Sequence, residues 1–267
     1  QGLHICLLAE SWINGGLMDD KGKPNGLNEK DIKTWNKIKG NWTLYFCDNT
    51  QGGLKEFDFS KYPKETQERV KWFKYDSHGI DGERHGSVID YMIKQTNSQI
   101  IGIMDSDFLW LNQNILYIAE SYFKRGYKCV GAELYYHDFD YVNKMYPERA
   151  GWLAPCIFGM FIDRNLCTET FVCTRQEGHG EFKETGWRMR EKLIKENVKV
   201  QVFKAFQYTE FECGKSWFYK DGEKVIGLHL LQGSGINNGR RSIIILEHLI
   251  KNMKELDLTN NLENDFK

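Results

Sequence analysis

At 267 residues, with 41% hydrophobic and 27% charged side chains, the chain has the make-up of an ordinary folded protein with a large core. Its net charge of −1 gives no electrostatic case for nucleic acid or an anionic membrane as partner. No apolar run approaches the roughly 20 residues of a transmembrane helix. The 8 tryptophans, 13 tyrosines and 16 phenylalanines are numerous enough to line a ring-stacking site, although packing in the core is the commoner use of such residues. Seven cysteines (Cys6, Cys47, Cys129, Cys156, Cys167, Cys173 and Cys213) are dispersed, with no Cys-x-x-Cys spacing of a zinc site. They read as the reduced, buried thiols of a cytoplasmic protein. In that setting the glycosylation sequon Asn41-Trp42-Thr43 carries no meaning. The start at Gln1, with no signal peptide, reads as a trimmed chain or one domain of a longer protein.

In chain order, residues 3–9 read as a buried first strand and 10–28 as a long loop rich in Gly, Asn and Asp. A helix follows over 28–38, with Asn28 as N-cap and Gly40 beyond its end. Residues 42–47 form a second strand that stops at the turn signal Asp48-Asn49-Thr50-Gln51-Gly52-Gly53. The stretch 66–75 suits a short helix or a strand equally. Val88, Met92 and Ile93 recur at helical spacing within a helix over 86–96 that feeds the strand 100–104. A second amphipathic helix, 112–125, is closed by Gly126, and 128–134 is again a strand. Alternation of strand and helix predicts an α/β fold with a mostly parallel central sheet flanked by helices. Such sheets bind ligands beyond the carboxyl ends of their strands. Further on, 135–151 reads as a loop, 155–162 as a strand, 184–196 as a helix, and 198–203 and 224–230 as strands. A glycine-rich turn at 233–239 precedes a last helix over about 241–256. No repeat or low-complexity linker divides the chain, which is expected to be a single domain.

The stretch most suggestive of chemistry is Ile100-Ile101-Gly102-Ile103-Met104-Asp105-Ser106-Asp107-Phe108. An apolar strand delivers two carboxylates, one residue apart, to its own end. Residues i and i+2 of a strand share a face, so Asp105 and Asp107 face one site if the extended course continues. Paired carboxylates with no basic neighbour repel each other unless a cation lies between them. Oxygen ligands of this type suit Mg²⁺ or Mn²⁺. The plainer reading is a polar turn at the end of a buried strand.

Four segments in order resemble a nucleotide-sugar glycosyltransferase of the GT-A fold, nearest to the family 2 type. Leu44-Tyr45-Phe46-Cys47-Asp48-Asn49-Thr50 resembles its second strand and acidic end. Arg84-His85-Gly86-Ser87-Val88-Ile89-Asp90 resembles the helix start before the metal strand, and Met104-Asp105-Ser106-Asp107 the metal motif itself. Phe158-Gly159-Met160-Phe161-Ile162-Asp163-Arg164 with Glu184-Thr185-Gly186-Trp187 resembles the acceptor-side strand and the helix of the catalytic acid. Together they span about residues 3–205. The first strand ends in Ala9-Glu10-Ser11, where the family has Pro-Thr-Tyr-Asn, and Lys183-Glu184 stands where it has Glu-Asp.

What the resemblance implies is a metal-dependent, inverting transfer from a nucleotide-diphosphate sugar to an acceptor hydroxyl. The donor would be held by about 1–134 and the acceptor by about 135–267. It assigns Mn²⁺ or Mg²⁺ to Asp105, Asp107 and His229. Asp48, Arg84, Asp105 and Arg240 go to the nucleotide, and Glu184, with Glu181 second, to the base. Each has a plainer role: Glu184 as a helix-start carboxylate, His229 as a hydrogen-bonded core histidine, Trp187 as core and His179 as an exposed loop residue. Two other classes fit less well. A nucleotidyltransferase would carry a basic, glycine-rich phosphate loop near the first strand, yet residues 10–20 contain no Lys or Arg. A non-catalytic sugar-binding relative would not need both aspartates and a base.

Overall fold

The runs Ile100–Met104, Cys129–Glu133 and Pro155–Asp163 are almost unbroken in apolar residues, so both faces of each must be covered. In the computed structural model every residue of the three is buried. The structure describes residues 5–11, 39–48, 60, 64–75, 81–105, 108–133, 155–172, 174–175, 182–183, 185–211 and 214–231. The predicted helices over 28–38 and 241–256, the loop 135–151 and the turn 233–239 lie outside these residues.

The elements in order are β1 (Ile5–Ser11), β2 (Trp42–Asp48), α1 (Lys64–Arg69), β3 (Val70–Lys74), α2 (Asp81–Lys94), β4 (Ile100–Met104), β5 (Phe108–Trp110) and α3 (Ile115–Lys124). They continue with β6 (Cys129–Glu133), β7 (Pro155–Asp163), β8 (Thr174–Arg175), β9 (Phe182–Lys183), α4 (Trp187–Lys195), β10 (Val200–Phe211), β11 (Gly214–Asp221) and β12 (Lys224–Leu231). The ambiguous stretch 66–75 is both things in turn. An Arg69–Glu65 ion pair of 2.7 Å spans one helical turn of α1, and β3 begins at the next residue.

Ten strands form one sheet in the order β3-β2-β1-β4-β7-β6-β10-β11-β12-β5, while β8 and β9 pair separately. The expected mostly parallel sheet needs correcting. Strands β3, β2, β1 and β4 are parallel neighbours, as are β6 and β10. The other five pairings of the sheet are antiparallel: β4 with β7, β6 with β7, β10 with β11, β11 with β12 and β12 with β5. The sheet is therefore mixed. Parallel neighbours need a crossover helix between them, whereas antiparallel ones can follow each other directly. Among the described residues, helices separate β2 from β3 and β3 from β4, and none lies between β10 and β12.

Strand β10 serves two partners. Its first residues, Val200 to Phe203, pair with β6, and from Lys204 onward it pairs with β11. Just past the changeover the pairing with β11 slips by one residue between Ala205 and Gln207, and the buried Glu133 carboxylate accepts the Ala205 N–H at 3.0 Å.

The helices cover the sheet with the apolar faces read from the sequence. Val88, Ile89, Met92 and Ile93 of α2 are buried, as are Ile115, Leu116 and Ala119 of α3 and Met189 and Leu193 of α4. Helix α2 packs on β1 and β2. Trp42, Trp110 and Trp217 are buried, so the core reading holds for them. Cys47, Cys129, Cys156 and Cys167 are free thiols, the first three buried. Burial pushes the Cys129 thiol far up, and burial together with Asp163 pushes Cys167 up to about 12. Thiols so resistant to ionisation are poor nucleophiles.

Candidate active site at the end of the fourth strand

Strand β4 hands its last residue to the site. The Asp105 N–H donates to the Phe158 carbonyl at 3.0 Å, extending the β7 ladder by one residue. Phe108 N–H then returns to the Asp105 carbonyl at 3.1 Å, so the extended course of the strand ends at Asp105. Phe108 opens β5, which lies against β12 with Phe108 opposite His229. The Phe108 side chain is fully buried, with ring centroids 4.6 Å from Trp110, 5.7 Å from Phe158 and 5.8 Å from Tyr219. It fits because position 159 is glycine: a Cβ there would come within 2.6 Å of Phe108 Cζ. His229 is buried and stacked on Phe158, with centroids 4.0 Å apart and planes 18° apart. This wedge brings a late histidine to the end of β4.

The Asp105 carboxylate faces a second histidine. His85 Nε2 lies 3.2 Å from Asp105 Oδ1, which is buried, in the geometry of an ion pair rather than an aligned hydrogen bond. Burial pushes the Asp105 carboxyl up, but the charge and polar contact of His85, with the charge of His229, more than offset it. The carboxyl is held below the usual carboxylate range, and Asp105 is ionised at neutral pH. His85 stands in the second turn of α2. A crossover from β3 to the parallel strand β4 runs its helix back against the strands, so the first turns of α2 lie at their carboxyl ends.

The same helix clamps the segment after β7. Asp90 Oδ2 accepts from the Thr170 hydroxyl at 2.5 Å and Oδ1 from Phe171 N–H at 2.9 Å. The Phe171 carbonyl accepts from Gly186 N–H at 2.8 Å, one residue before α4 begins. Two glycines make this contact feasible. A Cβ at Gly86 would lie 2.4 Å from Val172 Cα, and Gly186 has φ +78°, a left-handed conformation other residues rarely adopt. Through Thr170–Phe171, α2 is thus tied to the start of α4.

Replacing Asp90 by Ala should destabilise the fold by about 1–3 kcal/mol, because the Phe171 N–H and the Thr170 hydroxyl lose their partner. Asp90 also has a pH signature. Burial raises its carboxyl, and its two hydrogen bonds and Lys94 offset only part of that. A raised folded-state value stabilises the protein at low pH and is lost as pH rises through that value. In urea melts, the stability of the wild type relative to Asp90→Asn should therefore fall as pH rises above about 4.

Of the residues singled out in the sequence, Asp105 and His229 come together. Asp48 ends β2, opposite Ser11 at the end of β1. Arg84 precedes His85 on α2, half-buried, with a buried Nε that makes no hydrogen bond and a carbonyl that accepts from the Ser87 hydroxyl. Trp187 is half-buried in the first turn of α4, with Arg188 over its ring at 5.4 Å. Asp107, His179, Glu181, Glu184 and Arg240 lie outside the described residues. Among the described residues, no three carboxylate, imidazole or thiol groups converge to hold a metal ion. The donor set at β4 still suits a hard divalent cation in kind: an ionised carboxylate that keeps some exposure beyond its contact with His85, and the His229 imidazole nearby. His85 and Asp90 were not among the residues the sequence singled out. Both lie within the quoted helix-start segment, Arg84 to Asp90, but neither has a spacing that distinguishes it from its neighbours.

No family model matches the chain, and no curated protein matches it. Solved structures do. The chain is similar to a mannosyltransferase from Pyrobaculum calidifontis in complex with GDP-Man and Mn²⁺, at 10% identity and TM-score 0.46, over 74% of this chain and 54% of that one. It therefore spans little more than half of that enzyme. It is also similar to glucosyl-3-phosphoglycerate synthase from Mycobacterium tuberculosis. In complex with phosphoglyceric acid the values are 13% identity and TM-score 0.46, over 75% of this chain and 70% of that one. In complex with Mn²⁺, UDP and phosphoglyceric acid they are 14% and 0.46, over 75% and 68%. These neighbours are GT-A glycosyltransferases.

Proposed function

We propose that this chain is a metal-dependent, inverting glycosyltransferase that moves a sugar from a nucleotide-diphosphate donor to an acceptor hydroxyl. The observation that carries the reading is the position of Asp105. Strand β1 has β2 on one side and β4 on the other, so the strand order reverses between β1 and β4. Open α/β sheets bind ligands at such a reversal, beyond the carboxyl ends of the strands. An ionised carboxylate stands at that point in this chain.

In this reading Asp105, Asp107 and His229 hold Mn²⁺ or Mg²⁺. When bound, the cation supplies Lewis-acid neutralisation of the charge that builds on the departing diphosphate. Arg84 and Arg240 pair with phosphate oxygens. Asp48 accepts a hydrogen bond from the nucleobase, which suits a pyrimidine ring N–H. Glu184, with Glu181 as the second candidate, takes the proton of the acceptor hydroxyl as it attacks the anomeric carbon from the face opposite the leaving group. Residues 1–134 serve the donor and 135–267 the acceptor, as parts of one domain. The buried free thiols are compatible with a reducing compartment such as the cytoplasm. Among the described residues no helix is long and apolar enough to cross a membrane.

The test is release of nucleoside diphosphate from nucleotide-sugars by the purified protein with Mn²⁺. Release above background, rising when an acceptor is supplied, is expected. No release from any nucleotide-sugar would overturn the reading.

A further inference from the structure

We infer that His85 is a positioning residue, which holds one oxygen of the Asp105 carboxylate so that the other is presented to the divalent cation. This inference rests on the function proposed above. The backbone at Asp105 is fixed twice without it, by the Phe158 carbonyl and by Phe108 N–H. Placing the end of β4 therefore does not require an imidazole. What the backbone leaves free is the rotation of the carboxylate, and His85 Nε2 lies 3.2 Å from one of its oxygens, Oδ1.

That contact is hidden from solvent. His85 is 6% exposed and Oδ1 is buried, whereas the Asp105 side chain as a whole is 22% exposed. The exposure belongs to atoms other than Oδ1, and Oδ2 is the other polar atom of the group. The imidazole is itself held in place, because the next residue, Gly86, packs against the backbone at Phe171 and Val172 too closely to admit a Cβ. A buried ion pair contributes little net stability once desolvation is counted, so folding does not account for the pair. Orientation does: partners that orient a ligating group are worth about 10–100-fold in metal affinity.

Mn²⁺ alone is titrated into the purified chain and followed by electron paramagnetic resonance, for the wild type, His85→Leu, His85→Met and His85→Gln. Unfolding midpoints are measured without metal. The Leu and Met variants fill the space but donate no hydrogen bond, and whichever keeps a near-wild-type midpoint should bind Mn²⁺ about 10–100-fold more weakly. His85→Gln, whose amide donates to the same oxygen, should recover most of the affinity. Wild-type or tighter binding by a folded Leu or Met variant, or binding by a folded His85→Gln no tighter than theirs, overturns the role of His85 and leaves the proposed function standing. Absence of Mn²⁺ binding by the wild type overturns both.

Discussion

Asp105→Asn and Asp107→Ala should each lower sugar transfer by on the order of 10³-fold in protein that stays folded at the assay temperature. A Lewis acid at the leaving diphosphate is worth several kcal/mol of transition-state stabilisation, and each 1.36 kcal/mol is about tenfold in rate. Asn at position 105 keeps the shape of the side chain and both backbone hydrogen bonds, to the Phe158 carbonyl and from Phe108 N–H. It removes the charge that His85 and His229 favour. Undiminished transfer by either variant would reduce the Asp-x-Asp to a polar turn. A loss of transfer accompanied by a large fall in midpoint would assign the effect to folding.

The second large effect is on stability. Phe108→Ala empties a fully buried site against Trp110, Phe158 and Tyr219, and should cost about 3–5 kcal/mol. Gly159→Ala should cost about 1–3 kcal/mol for the opposite reason, since its Cβ would meet the Phe108 ring at 2.6 Å. The two changes share one volume, so they should not add. In the Phe108→Ala background the new methyl has room, and most of the cost of Gly159→Ala should disappear. Denaturant melts of the four proteins measure this directly. Additive losses would mean that the ring and the glycine do not define one another.

Much of this framework was open to reading. The run Ile100–Met104 is apolar throughout, and such a run must be buried on both faces, so a central strand ending at Asp105 followed from composition alone. The helical spacing of Val88, Met92 and Ile93 likewise marked the buried face of α2. Strand direction was harder. The mostly parallel sheet was read from the alternation up to residue 134, and β7 was read as a strand without a direction; no helix had been expected over 135–151, and a strand that follows another without a crossover helix pairs antiparallel. The β11–β12 hairpin carried a local signal, Asp221-Gly222, and Gly222 does take φ +57° there. Strand β5 carried none. Three residues long, it is a strand because β12 lies beside it, a contact about 120 positions away in sequence.

The site divides in the same way. Asp105 was legible because a carboxylate ending an apolar strand is a local pattern. His229 reaches it through the pairing with Phe108 and the stack on Phe158, and His85 through the crossover of α2, neither of which has a local signature. Asp90 is less conspicuous still, a carboxylate on a helix whose partners, Thr170 and Phe171, lie 80 and 81 residues away.

The most direct test of the central claim is thermal unfolding of the full chain with a panel of nucleoside diphosphates, each with and without Mn²⁺. A ligand that binds only the native state adds about 2.7 kcal/mol of stability at a hundredfold excess over Kd. The account predicts a rise with one nucleobase that depends on Mn²⁺ and is lost in Asp105→Asn. No rise with any nucleotide, or the same rise in Asp105→Asn, would contradict it.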